Sequence, residues 1–131
     1  MKFVALVYLE DEKLRAVPDS ECMDCGNGFR AAGKLVAAEA LQPIATAKTV
    51  RVRQGAVRVV DGPFAETKEL VAGYTIINVK SREEALAWTK RFPNPSLDGG
   101  AAEIEVRQYF ELDDFPQSES IERFRKIGVG Q

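Results

Sequence analysis

The segment Asp61-Gly62-Pro63-Phe64-Ala65-Glu66-Thr67-Lys68-Glu69 holds the densest group of side chains that could do chemistry. Asp61 and Glu66 could act as paired carboxylates, with Lys68 tuning one of them or binding an anion. The same residues are also typical of a turn followed by a solvated loop, because Asp, Gly and Pro are common turn formers. The segment predicts either a plain turn or the mouth of a pocket in which Asp61 and Glu66 are candidate catalytic groups.

The chain contains no histidine. This excludes Ser-His-Asp triads, Cys-His dyads and histidine-containing zinc sites built from one copy. A general acid or base would have to be a carboxyl group or the phenol of Tyr8, Tyr74 or Tyr109.

Glu39 lies within a mostly apolar segment that is predicted to be a strand. The carboxylate is either exposed at a sheet edge or buried beside a partner such as Arg107. A buried and unpaired charge is strongly destabilising, so the second arrangement would indicate a site. Glu39, Lys68, Tyr74 and Arg107 are the candidate ligand-binding residues.

Cys22 and Cys25 have the spacing of a CxxC motif. One such pair supplies two of the four ligands of a closed zinc site, and the chain has no other cysteine. A redox motif would follow a strand in a thioredoxin-like pattern, which is missing. We interpret both as ordinary helix cysteines and expect no metal and no cofactor.

Arg51, Arg53 and Arg58 alternate with valines and should share one face of a hairpin. They form either an anion-binding patch or a solvated ribbon face that prevents edge-to-edge aggregation. No aromatic side chains alternate with them for base stacking, which favours the solvated face.

Hydrophobic patterning predicts the elements that must position these groups. A first strand over 3–8 is apolar on both faces, a helix begins near Pro18 and runs toward Gly33, and Gln54-Gly55 turns a hairpin. Ser81 and Glu84 form a capping box. The remaining predictions are strands over 35–41, 49–53, 57–60, 73–79 and 102–110, and a tail helix with Ile121, Phe124 and Ile127.

The element order is β-α-β, a hairpin, then β-α-β. Two such units with right-handed crossovers predict an α+β, ferredoxin-like βαββαβ core with an inserted β-hairpin, both helices on one face of an antiparallel sheet. A chain of 131 residues has no further layer for the other face. We therefore expect a homodimer in which a second copy covers that face.

Length and charge narrow the class of protein. Residues 1–110 are predicted to form one domain and 111–131 a tail helix that packs on it or on the dimer partner.

The formal charge of −2 argues against a dedicated nucleic-acid binder. The apolar run after Lys2 ends at Glu10, so it favours a buried strand over a secretion signal or membrane span, and we expect a cytoplasmic protein.

The run DGPFAETKE resembles the hallmark of the DGPF family within the YCII-related group. Similar segments in the same order are Glu39–Pro43, Thr49–Arg53, Gly73-Tyr74, Glu84–Trp88 and Glu103–Arg107. The resemblance implies a dimeric α/β-barrel fold. It implies no particular reaction, because the family has none that is settled. The His–Asp pair suspected in YCII-related proteins cannot be carried over. Association with extracytoplasmic-function sigma factors is also implied.

Two functions follow as hypotheses. The first is binding of a small molecule in a pocket lined by carboxylates, with catalysis left open. The second is a non-catalytic regulatory module associated with a sigma factor. Heme handling, known on other dimeric α/β-barrels, is disfavoured by the lack of histidine.

Overall fold

A computed structural model describes residues 1–10, 19–63, 70–92 and 102–130, with the backbone alone for 19–22. The elements in chain order are β1 (Lys2–Leu9), α1 (Asp19–Ala31), β2 (Leu35–Ala40), β3 (Lys48–Arg53), β4 (Ala56–Asp61), β5 (Leu70–Asn78), α2 (Arg82–Thr89), β6 (Glu103–Gln108) and α3 (Glu119–Lys126). Short 3-10 turns lie at Ile44–Thr46 and Leu112–Asp114.

Four strands form one antiparallel sheet in the order β2-β5-β1-β6. This is the ferredoxin-like order, in which each β-α-β unit leaves space for a strand of the other unit. The predicted α+β fold class is therefore confirmed. β5 begins at Leu70, three residues before the predicted start at Gly73, and α1 ends at Ala31, just before Gly33 turns the chain with φ +67°.

The core lies between the helices and one face of the sheet. Phe3 and Ile77 are opposite each other on β1 and β5 and pack with Phe29 of α1 and Ala85 of α2. The ring of Phe29 lies 4.9 Å from that of Trp88 and 5.3 Å from that of Phe92. These aromatic contacts fix both helices on the same face of the sheet.

The other face of the sheet, which we call the open face, is apolar in its centre. Val4, Leu6 and Tyr8 of β1 alternate with the core residues, and Tyr74 and Ile76 lie opposite them on β5. All five are half-buried. The outer strands surround this centre with charged side chains, namely Glu39 on β2 and Glu103, Glu105 and Arg107 on β6.

α2 begins as its sequence predicts. Ser81 Oγ accepts a hydrogen bond from the backbone N–H of Glu84 at 3.1 Å. In return, Glu84 Oε2 accepts from the N–H of Lys80 at 2.8 Å, one residue earlier than in a standard capping box. Glu84 Oε1 also lies 3.1 Å from Nζ of Lys34, just before β2. Glu84 therefore ties the start of α2 to the start of β2.

These contacts predict a pH dependence of stability. The hydrogen bond from Lys80, followed by the ion pair with Lys34, holds the pKa of Glu84 below its ordinary value of 4.5. A carboxyl group with a lowered pKa contributes stability above its unfolded-state pKa and loses it as the pH falls through the folded-state pKa. We expect Glu84→Gln to lower the free energy of unfolding at pH 7 and the deficit to shrink as the pH falls below about 4.5. Urea titrations at several pH values measure this.

Glu83→Gln is the matched control, because it removes a neighbouring charge and leaves both contacts of Glu84 in place. A deficit of Glu84→Gln that stays constant down to strongly acidic pH would contradict the assignment.

The residues after β6 contact one another and also the start of β1, where Oε1 of Glu111 lies 3.6 Å from the backbone nitrogen of Met1. Arg125 of α3 donates to Oδ1 of Asp113 at 2.7 Å, and Gln117 donates to the carbonyl of Phe115 at 3.1 Å. Phe124 and Ile127 are exposed. Packing of this tail on the domain or on a partner stays a prediction.

Candidate functional site

Four strand ends meet at one end of the sheet, which we call the loop end. β1 and β2 finish there, whereas β5 and β6 begin there, because Leu9 is opposite Leu70 and Tyr8 is opposite Glu103. The segment from Asp61 to Leu70 joins the hairpin to this end. Residues from distant parts of the sequence are thereby collected around Tyr8.

A groove of about 500 Å³ lies at the loop end, lined by Tyr8, Glu103, Ile104 and Glu105. Tyr8 is directly opposite Glu103, and both lie on the open face with Glu105, because Val106, the next residue of β6, packs against the core on the helix face. The groove therefore brings one phenol and two carboxylates together on apolar sheet surface. Ionised carboxylates only accept hydrogen bonds, whereas a phenol both donates and accepts.

The next row of the open face crosses all four strands. Its members are Glu39, Tyr74, Leu6 and Glu105, each opposite the next. With strands about 4.8 Å apart, the two glutamates stand about 14 Å from each other. The row has a carboxylate at each edge and a phenol between them.

Gly73 allows β2 and β5 to approach closely beside this row. A Cβ at Gly73 would lie 2.9 Å from the carbonyl oxygen of Glu39, closer than side chains normally come. The absence of a side chain is thus what lets Tyr74 lie directly opposite Glu39.

The structure brings only some of the predicted residues together. Glu39 is exposed on an edge strand, so the alternative of burial beside Arg107 is wrong. Arg107 lies on the opposite edge, where its Nε is 3.5 Å from Oε1 of Glu105. The two residues are separated by β5 and β1.

Asp61 ends β4 and forms an ion pair with Lys48 across the base of the hairpin. The N–H of Gly62 donates to the carbonyl of Ala47 at 2.8 Å, and Gly62 has φ +82°. Gly62 therefore extends the pairing of the two strands at the base of the hairpin, and the predicted turn over Asp61-Gly62-Pro63 stays a prediction. Glu66 and Lys68 lie outside the described residues, and the catalytic role of Asp61 and Glu66 stays a prediction.

Glu103 and Glu105 were not predicted as groove residues. Their signal was in the sequence, because the pattern Glu103-x-Glu105-x-Arg107 places three charges on one face of a strand. The alternation by itself predicts a strand and does not show which side chains of another strand it faces. Recognising the groove also requires β6 to lie beside β1, which depends on the sheet order.

Cys25 lies on α1 against the core and donates a long hydrogen bond, 3.9 Å, to the carbonyl of Arg91. Within the described ranges, no three Cys, Asp or Glu side chains are placed to hold a metal ion. None of the helices that the structure describes has the length and hydropathy of a membrane-spanning helix.

The fold and the groove define an α+β domain whose polar groups gather at the loop end of an open sheet face. Comparison with known proteins shows which family has this combination of fold and sequence. Residues 1–111 match the YCII-related domain. The chain is also 35% identical over 85 residues to "Uncharacterized protein R00369" of Rhizobium meliloti (strain 1021), a match that covers 65% of this chain and 68% of the relative. The chain belongs to the YCII-related family.

Proposed function

We propose that this protein binds a small molecule in the loop-end groove and that a second copy closes the groove. The observation that supports the proposal most is the convergence of Tyr8, Glu103 and Glu105 on one apolar face. Binding sites combine apolar walls with a few converging polar groups. The chemistry of these groups favours a ligand with an apolar body and a cationic or hydrogen-bond-donating head.

The second copy enters the proposal because the groove is open toward solvent. The central side chains of the open face are only half-buried in one chain, and charged side chains surround them. An apolar sheet face is normally covered by another layer. A second copy of the same face would supply that layer and the missing wall of the groove.

The resemblance of DGPFAETKE to the DGPF hallmark supports placing the chain in the DGPF branch of the family. Glu66 and Lys68 stay candidate site residues on the strength of this motif. Association with a sigma factor and a cytoplasmic location stay predictions.

Two probes of equal size and opposite charge test the groove. We expect benzylamine to shift the amide NMR signals of Tyr8 and of Glu103 to Glu105 at millimolar concentration, and benzoate to leave them unchanged. Glu103→Gln should weaken benzylamine binding about tenfold, because a hydrogen bond to a charged group contributes roughly 1.5 kcal/mol or more.

Glu83→Gln, an exposed position on α2, should leave benzylamine binding unchanged. Equal binding of benzylamine and benzoate, or benzylamine shifts confined to other parts of the chain, would overturn the proposed site.

A further inference from the structure

The β3–β4 hairpin carries a continuous apolar surface that nothing in its own chain covers among the described residues. Val50 is opposite Val59, and Val52 is opposite Val57. Because side chains alternate along a strand, these four valines share one side of the ribbon. We call this side the valine face. Its members are between 59% and 67% exposed.

The reverse of the ribbon has the opposite character. Arg51 lies opposite Arg58, and Arg53 is on the same side, as the sequence pattern predicts. The valine face itself is electrically neutral, because its only charged residues, Lys48 and Asp61, form an ion pair at the base of the hairpin. The ribbon therefore has an apolar, neutral side and a strongly basic side.

A two-stranded ribbon of this kind is marginally stable in water when neither side is covered. Four valines exposed to this degree present about 300 to 400 Å² of contiguous apolar surface. Patches of that size on soluble proteins mark interaction sites. A neutral, aliphatic surface fits another aliphatic protein surface and gives no contacts to phosphates.

We propose that the valine face is an interface with a second copy of this chain, buried in the same dimer that covers the open face of the sheet. The proposal rests on the dimer proposed above, and the area needed for a stable dimer supports it. The half-buried centre of the open face offers roughly 300 Å² per copy, which is too little for a stable dimer by itself. Together the two surfaces reach about 1,200 to 1,400 Å² over both copies, at the lower end of the usual range for specific dimers.

Twofold symmetry strengthens this choice of partner. In a symmetric dimer each surface is buried twice, so a face of only four valines per chain contributes eight buried side chains. Arg51, Arg53 and Arg58 lie on the reverse side of the ribbon, so burial of the valine face does not require their burial.

Two substitutions on adjacent residues test the proposal. Val59 is on the valine face, whereas Val60 is opposite Thr49 on the arginine side and is 42% exposed. Val59→Lys and Val60→Lys add the same charge to the same strand. We expect Val59→Lys to raise the dimer dissociation constant by roughly 100-fold or more in sedimentation equilibrium, and Val60→Lys to change it less than about threefold.

An isotope-filtered NOE measurement on a mixture of labelled and unlabelled wild-type protein provides a second readout that no substitution can disturb. Contacts between copies are expected from the methyl groups of Val57 and Val59 and not from those of Val60. If the wild-type protein dimerises and the two lysine variants have the same dissociation constant as each other, this inference is overturned. The proposed dimer would then still stand. A folded wild-type monomer would overturn both.

Discussion

Leu6→Lys should convert the dimer into a folded monomer. Leu6 lies at the centre of the open face, opposite Tyr74 on one side and Glu105 on the other. Truncation of a central interface residue commonly costs about 2 kcal/mol, and the desolvation of a buried ammonium, even beside Glu105, adds to that cost. Because each dimer contains two such sites, the dissociation constant should rise about 1,000-fold. Sedimentation equilibrium measures the change, and circular dichroism shows whether the variant is folded.

Leu86→Lys is the matched control for this substitution. Leu86 is exposed on α2, and the helices lie on the other face of the sheet. The same change of side chain there should leave the dissociation constant unaltered. If Leu6→Lys is folded and dimerises as tightly as Leu86→Lys, the open face is not the interface.

Phe29→Ala should have the largest effect on stability of the single chain. Phe29 is 2% exposed and contacts the rings of Trp88 and Phe92, so it joins α1 to the end of α2. Removing a buried phenylalanine typically costs 3–5 kcal/mol, about as much as the whole stability of a marginal domain. Urea unfolding followed by circular dichroism measures the loss.

Met23→Ala serves as the comparison on the same helix, because Met23 is exposed. Its effect should stay within about 0.5 kcal/mol, as for most surface substitutions. A loss below about 1 kcal/mol for Phe29→Ala would show that the two helices are not held together by this aromatic cluster.

The fold followed from the sequence because local signals agreed with one another. Alternating valines on either side of Gln54-Gly55 predicted the hairpin, and both turn residues have positive φ, 50° and 79°, as a tight hairpin requires. The repeated β-α-β order left few topologies to choose from. In the described residues the differences lie at element ends, as in β5, where the apolar residues Leu70, Val71 and Ala72 extend the strand ahead of Gly73.

The candidate site was harder to predict because its members come from different strands. Pairing Glu39 with Arg107 would require the two strands to be neighbours, and the sheet order places them at opposite edges. The groove carboxylates Glu103 and Glu105 face Tyr8 only because β6 lies beside β1. Sequence spacing showed which residues share a face of one strand, whereas neighbours across strands required the structure.

Covering of the open face by a second copy underlies both the closed groove and the proposed interface of the valine face. Sedimentation equilibrium of the wild-type protein at micromolar concentration tests this directly. We predict a species of twice the chain mass of 14.5 kDa, with the monomer appearing only on strong dilution. A well-folded species of a single chain mass throughout that range would contradict it.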